Sequence, residues 1–297
     1  MHITLRQISY FVAVAETRSF SGAAARLHIS QSAVTESIHA LEEQTGGVLF
    51  DRRSKGVELT YLGHQMLRHA RLILAAVEDA GRALSAPSDS VTGRLNLGVT
   101  SLVAGYFLAD VLARFRRVFP NVEVKVIEEE RSYIEHLLVN GELELALMII
   151  SNLENNTALA TDMLVQSRNR VWMASGHPLA ARTSIAFSEI ARESLIVLSI
   201  DEMPQVTTRW WAPHGSRPKI VFTTSSVEAV RGLVATGAGV AILPDMTYRP
   251  WSLDGDRIEA RPLDFEVPTL DVGLVWRRGS QQAEVSTIFR HLAHDHR

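Results

Sequence analysis

Three sets of apolar side chains, each spaced three or four apart, crowd the start of the chain: Ile8, Phe11, Val12 and Ala15, then Phe20, Ala23, Ala24 and Leu27, then Val34, Ile38 and Leu41. That spacing places each set on one face of a helix. Helices this short bury little alone, so the three must share one small core. Only His28-Ile29-Ser30 separates the second from the third, and the Ser30 hydroxyl can accept a hydrogen bond from a free amide of the next turn and start a helix. The third helix, expected over residues 31–44, carries Ser32, Thr35, Glu36 and His39 on the face opposite the apolar row, with Gln31 in its first turn. Small polar side chains allow a helix to sink into a major groove, where Gln, Ser and Thr can meet base edges and phosphates.

After Gly46-Gly47, two short apolar runs between Val48 and Thr60 flank a basic tip that holds a glycine, which reads as a hairpin wing. Arg52, Arg53 and Lys55 are placed to meet phosphate, contacts that add affinity and fix orientation without carrying much sequence information. A bare helix-loop-helix is also the pattern of an ordinary α-hairpin. The capped, small-polar helix followed by a basic wing favours a DNA reader, with Ser30, Gln31, Ser32, Thr35, Glu36, Arg52, Arg53 and Lys55 as its candidate contacts. Glu36 is unusual there: a carboxylate is unfavourable against phosphate but can accept from cytosine N4, which makes it a candidate specificity residue.

Bulk charge does not choose a partner. Residues 1–90 hold nine Lys plus Arg against nine Asp plus Glu, so any DNA affinity must come from local placement. The chain has no cysteine, which excludes disulfides, thiolate metal sites and thiol-based redox sensing. It has neither a basic start followed by an apolar run nor a membrane-length apolar stretch, so a soluble cytoplasmic protein is expected.

Residues 61–84 carry apolar side chains at Leu62, Met66, Leu67, Ala70, Ile73, Leu74, Val77, Ala80 and Leu84, with no proline. The steps of four and three suit a long helix that pairs with a copy of itself, or one that packs on its own domain. Residues 85–93 then read as a linker rich in Ser, Pro and Gly, which sets a domain boundary near 90. Beyond it, strands and helices alternate. Strands are expected at 95–99, 122–127 and 143–149, then at 170–174, 195–198, 219–223, 240–243 and 270–276, with helices at 133–140 and 226–236 and a final one ending near 292. This is βαβ organisation, and its length fits two α/β lobes.

The motif residues Phe11-Val12-Ala13-Val14-Ala15-Glu16, Ser19-Phe20, Ala23-Ala24-Ala25-Arg26-Leu27, Ser30-Gln31-Ser32-Ala33-Val34-Thr35, Ile38 with Leu41-Glu42, Gly46, Leu49-Phe50, Arg52, and Thr60 with Gly63 resemble the LysR-type transcriptional regulator family. Gly176-His177-Pro178-Leu179-Ala180, the run from Val234 to Pro244 and Arg261-Pro262-Leu263 are similar to that family's effector domain, so the resemblance spans nearly the whole chain. It implies an α+β multidomain chain: a winged helix-turn-helix over 1–60, a linker helix and hinge over 61–90, and a two-lobed α/β domain over 91–297 resembling periplasmic binding proteins. Lobe I would comprise 91–162 and 267–297, and lobe II 163–266. The resemblance also implies double-stranded DNA with an interrupted palindrome as partner, a small-molecule effector, and self-association as a dimer and tetramer.

In open α/β sheets, ligands bind beyond the carboxyl ends of strands, where helix N-termini offer free amides. Three such loops carry hydroxyls: Thr100-Ser101, Ser199, and Thr223 to Ser226. Each hydroxyl can equally be an N-cap, but their convergence suggests a cleft, and the resemblance points to Thr100, Ser101 and Thr223 in particular. Glu128, at the head of Glu128-Glu129-Glu130, is a further candidate. These three carboxylates either repel an anionic effector, favouring a cationic or amphoteric one, or form a solvated run at a helix start.

Enzyme signatures are missing. There is no nucleophile elbow and no P-loop, and Gly237-Ala238-Gly239 lacks a third glycine and follows a helix rather than a strand. His291, His294 and His296 could meet a metal but sit in a terminal segment, while Trp210 and Trp211 could stack on a ligand or simply pack. No cofactor and no metal are expected. The reading is a DNA-binding regulator that answers to a small molecule. Its alternative is a cytoplasmic solute sensor whose helical head meets a protein partner.

Overall fold

A computed structural model describes residues 3–53, 56–83, 90–201, 203–211 and 218–294. The chain divides into two compact units, residues 1–87 and 88–297.

In the first unit, α1 (Leu5–Thr17), α2 (Phe20–Leu27) and α3 (Gln31–Thr45) each begin at a hydroxyl cap: Thr4 accepts from the Gln7 amide, Ser19 from that of Gly22, and Ser30 from that of Ala33. Left-handed residues end them, Arg18 at φ 52°, His28 at φ 55° and Gly46 at φ 72°. Two of these lack glycine's freedom, so the tight turns are held by the packing around them. That packing is a single core of Ile8, Phe11, Val14, Ala23, Val34, Ile38, Leu41 and Leu49, with the Phe11 and Phe50 rings 5.1 Å apart.

The wing is the antiparallel pair β1 (Phe50–Arg53) and β2 (Gly56–Leu59), in register from Phe50 opposite Leu59 to Arg53 opposite Gly56. Glu42 anchors it: its Oε1 accepts from the Leu49 amide at 2.7 Å and the Phe50 amide at 3.3 Å. The Val57 amide donates to the Arg18 carbonyl at 3.1 Å, which ties the hairpin to the α1–α2 turn. Gly63 lies in α4 (Tyr61–Ala83), where an added Cβ would run into the Leu49 carbonyl oxygen. Helix α4 buries Ala70 and packs Met66, Leu67 and Leu74 on the core, yet leaves Leu72, Ile73 and Val77 exposed. One row of this helix therefore packs on its own domain while a second stays exposed.

The second unit opens with β3 (Gly93–Val99) and a continuous helical segment. That segment is α5 (Ser101–Val103), a π turn over Ala104–Leu108, and α6 (Ala109–Val118). There follow β4 (Val122–Glu128), α7 (Arg131–Asn140), β5 (Leu145–Ile149) and β6 (Leu159–Ser167). These strands share one sheet in the order β4-β3-β5-β12-β6, completed when the chain returns as β12 (Leu270–Arg277) before α11 (Glu284–His294). Helix α11 buries Phe289 against Phe115 of α6, with ring centroids 5.0 Å apart.

Between the two passages, β7 (Asn169–Ala174), α8 (Phe187–Ile190), β8 (Ser194–Leu198), α9 (Met203–Trp211), β9 (Lys219–Thr224), α10 (Val227–Ala235), β10 (Ala241–Pro244) and β11 (Ile258–Pro262) build the other lobe. Its strands form the set β10-β7-β11 and the parallel pair β8-β9, joined where Leu195 bridges Val240. The crossing between lobes lies at Arg168 rather than near 163, because β6 stays paired with β12 through Ser167. Strand β6 is an edge strand, and its pairing with β12 runs on past a bulge at Leu164 to Ser167.

No helix among the described residues is long and apolar enough to cross a membrane. Trp210 and Trp211 are buried, with Trp211 4.9 Å from Phe187, so they pack rather than stand open for a ligand. His294 Nε2 lies 2.7 Å from Asp162, His296 falls outside the described residues, and among those described no cluster could hold a metal ion.

Candidate nucleic-acid interface and effector cleft

The outer face of α3 is built by its own buried row. With Val34, Ile38 and Leu41 fixed inward, helical geometry turns Gln31, Ser32, Glu36 and His39 outward, and all four are exposed. The expected contacts split into two kinds. Ser30 spends its oxygen on the Ala33 amide at 3.2 Å and lies 3.1 Å from the Ser32 hydroxyl, so its first role is to cap. Thr35 donates its proton to the Gln31 carbonyl at 2.9 Å, which leaves its oxygen lone pairs and its methyl group for a partner, the latter suited to a thymine methyl. Gln31 and Glu36 keep their functional groups in solvent. The backbones of Arg52 and Arg53 pair with those of Val57 and Gly56 in the wing, but their side chains, and all of Lys55, lie outside the described residues.

The cleft lies where the first helical segment of lobe I meets lobe II. Ser101 and Glu128 meet there, with Thr100 preceding Ser101. Thr100 is fully buried and its hydroxyl has no partner among the described residues. It stands at the N-cap position without capping. The Ser101 hydroxyl donates to Glu128 Oε1 at 2.5 Å. Glu128 is the last residue of β4 rather than part of the following loop.

The free amides of this helix start are taken by a residue the hydroxyl pattern did not single out. Asp201, from the loop beyond β8, accepts from the Ser101 amide at 3.2 Å and the Leu102 amide at 2.8 Å. Burial pushes the Asp201 carboxyl up, the two amides pull it back down, and the charges of Glu128 and Glu130 add to the rise. The backbone of Asp201 is left-handed, at φ 48°. The available signal was position alone: Asp201 lies two residues past Ser199 in a loop already marked as a cleft loop.

Ser199 is half-buried, and its amide donates to the Thr224 carbonyl at 2.8 Å. Thr223 is exposed on β9, while its neighbour Thr224 accepts from the Ser226 amide at 3.1 Å and Ser226 caps α10. The Thr224 and Ser226 hydroxyls of this loop are therefore spent on chain geometry, and Thr223 is not drawn in with Ser101 by any described hydrogen bond.

A second contact joins the lobes. Tyr106, in the π turn, donates to Glu228 Oε1 at 3.3 Å, and the Arg249 guanidinium lies 5.9 Å from the Tyr106 ring centre. Burial, then the Glu228 charge, raises the Tyr106 hydroxyl, while burial and then Arg231 lower Arg249. Arg231 is 1% exposed and donates to the Thr247 and Arg249 carbonyls and to Glu228, with Trp172 5.2 Å away. Two depressions of about 300 and 430 Å³ line lobe I around Arg131 and Lys125. Neither includes Thr100, Ser101, Ser199 or Thr223.

A capped helix-turn-helix with a wing, joined in one chain to a two-lobed α/β unit whose second lobe is inserted into the first, defines a regulator with a DNA-reading head and a small-molecule domain. Residues 5–64 match the bacterial regulatory helix-turn-helix proteins of the lysR family, and residues 88–297 match the LysR substrate binding domain. The chain belongs to the LysR family of DNA-binding transcriptional regulators.

The HTH-type transcriptional regulator YnfL of Escherichia coli is 30% identical, over 98% of this chain and 97% of that protein. The hydrogen peroxide-inducible genes activator of Pectobacterium carotovorum is 27% identical, over 94% and 91%. The solved structure of HinK, a LysR family transcriptional regulator from Pseudomonas aeruginosa, superposes with a TM-score of 0.62 at 24% identity, covering 99% and 98% of the two chains, a likeness of fold.

Proposed function

We propose that the outer face of α3 reads base edges of an interrupted palindromic operator, and that a small molecule bound between the lobes changes how paired heads are presented to DNA. Gln31, Ser32, Thr35 and Glu36 supply the reading groups, Ser30 holds the helix start, and Arg52, Arg53 and Lys55 of the wing neutralise phosphate. The carrying observation is the exposed row Gln31, Ser32 and Glu36 on a helix whose opposite row is completely buried. Thr100, Ser101, Glu128, Ser199 and Thr223 are the candidate effector contacts. The protein acts as a regulator and not as an enzyme, in the cytoplasm where its DNA is.

Self-association supplies the second half-site. Helix α4 leaves Leu72, Ile73 and Val77 exposed, and the edge strand β9 leaves Ile220, Val221 and Phe222 exposed at 59%, 40% and 47%. An apolar helix row and an apolar sheet edge both call for cover. Two distinct self-complementary surfaces on one chain build a dimer and then a tetramer.

The test is a fluorescence-anisotropy titration of the full chain against its own upstream intergenic DNA and a scrambled duplex at two salt concentrations. The proposal expects tighter binding to the upstream duplex and a steep fall with salt, since each phosphate contact contributes about −0.9 to the log–log slope. No binding to either duplex at low salt would return the head to a protein partner.

A further inference from the structure

We propose that Asp201 is a tethered internal ligand of the cleft: its carboxylate, carried by lobe II, occupies the amides at the start of the lobe I helix and latches the lobes together when no small molecule is bound. The inference rests on the reading of this cleft as the effector site and adds how that site is regulated.

Four observations separate this contact from ordinary helix capping. The residue in the capping position, Thr100, makes no cap hydrogen bond, and the amides of Ser101 and Leu102 are instead served by a side chain 100 and 99 residues away in sequence. The Ser101 hydroxyl, which could help hold that carboxylate, is turned to Glu128. Asp201 holds a left-handed backbone at φ 48°, a region that residues with a Cβ visit uncommonly.

The fourth is electrostatic. The carboxylate is withdrawn from water beside Glu128 and Glu130, with only the two amides in its favour. Its charge is therefore held in the closed cleft at a penalty that opening relieves. A contact that satisfies two amides while burying its own charge is poised between two states, as a switch requires. The amides need an acceptor of carboxylate geometry; the negative charge is the part that opposes closure.

This division predicts different outcomes for two substitutions. Asp201→Ala removes the acceptor and opens the lobes. Asp201→Asn keeps an acceptor of similar shape without the charge and leaves them closed. In Asp201→Ala a free carboxylate can take the vacated place. Ser101→Pro attacks the other partner: it deletes one amide donor at a first helical position that tolerates proline, following a residue already extended at ψ 156°, and leaves Asp201 intact.

The experiment uses the full chain, spin-labelled at Glu142→Cys in lobe I and Asp254→Cys in lobe II, both exposed and the only thiols in an otherwise cysteine-free sequence. Dilution with unlabelled protein isolates the distance within one chain. The proposal expects one short distance for wild type and Asp201→Asn, a longer one for Asp201→Ala and for Ser101→Pro, and return of Asp201→Ala to the short distance in acetate but not in chloride of equal ionic strength.

A distance in Asp201→Ala equal to wild type, or equal response to acetate and chloride, overturns the latch. If Asp201→Ala does not fold, Ser101→Pro decides alone: an unchanged distance overturns the latch and a longer one supports it. Footprints of the same variants on operator DNA test the underlying reading separately. Lobes that open and reclose with acetate over an unchanged footprint keep the latch and remove the cleft from control of DNA.

Discussion

The two units of this chain place polar groups in opposite ways. On α3, an inward row of Val34, Ile38 and Leu41 leaves Gln31, Ser32 and Glu36 in solvent, ready for a partner the chain does not contain. In the cleft, the equivalent groups are already consumed from within: the Ser101 and Leu102 amides by Asp201, the Ser101 hydroxyl by Glu128, Tyr106 by Glu228. A surface that reads a fixed, abundant polymer can stand open. A site that must respond to a small molecule needs a defined state without it, and internal partners supply that state.

The sharpest way to break the comparison is to remove one unit's core and watch the other. Phe11 is fully buried against Phe50, so Phe11→Ala is expected to destabilise the first unit by about 3–5 kcal/mol and abolish DNA binding. Calorimetry should show the transition of residues 88–297 unmoved. A shift of both transitions together would mean that the units are not independently stable.

The reciprocal change is Arg231→Met. It deprives the Thr247 and Arg249 carbonyls of their donor and Glu228 of its buried partner, a loss on the order of 2–4 kcal/mol in the second unit alone. Binding of scrambled DNA should be untouched, and a loss of that binding would contradict the separation of roles. Ser30→Ala is smaller, roughly 1 kcal/mol, because it frees only the Ala33 amide at the start of α3. Chemical denaturation should detect it in the first unit, and an unchanged midpoint would show that Ser30 contributes contact rather than capping.

The smallest effect is a pH dependence. Burial, reinforced by Glu128 and Glu130 and opposed by the two amides, raises the Asp201 carboxyl above its ordinary 3.8. The folded state then keeps this proton to higher pH than the unfolded state. The associated stability is fully present below about 3.8 and is lost as pH rises through the folded-state value. The difference in melting temperature between wild type and Asp201→Asn should change across that window and be flat above it. A flat difference throughout would show that the carboxyl titrates as in water.

What could be read from residues alone follows the same division. The three helices, the cap at Ser30 and the wing announce themselves because each depends on neighbours within a few positions. The strands 95–99, 122–127 and 195–198 are short apolar runs with turn residues at their ends and were equally plain. Strand β6 was not: Leu159–Ser167 is an edge strand with Asp162 and Gln166 in it, too polar to stand out, and its loss moved the crossing between lobes from Arg168 to 163. Strand β11, Ile258–Pro262, carries Glu259 and Arg261 paired with each other, which hides it in the same way.

In the second unit, counting hydroxyls at strand ends marked Thr100-Ser101, Ser199 and Thr223 to Ser226, but not Asp201, whose carboxylate accepts from the Ser101 and Leu102 amides. Asp201 meets Ser101 only after the chain has built most of lobe I and crossed to lobe II, a pairing no local pattern encodes. The role of Glu42 in holding the wing was hidden for a related reason, since its partners are backbone amides at Leu49 and Phe50.

The central claim is that the open face of α3 reads sequence. Its most direct test is selection of duplexes from a random pool by the full-length wild type, by Gln31→Ala and by Arg52→Ala. The account predicts that wild type enriches two inverted half-sites spaced by whole turns of DNA. Gln31→Ala should lose preference at particular bases within each half-site, worth about 1–3 kcal/mol, and Arg52→Ala should enrich the same motif with weaker binding throughout. Enrichment of no motif by wild type, or an identical motif at identical strength from Gln31→Ala, would contradict it.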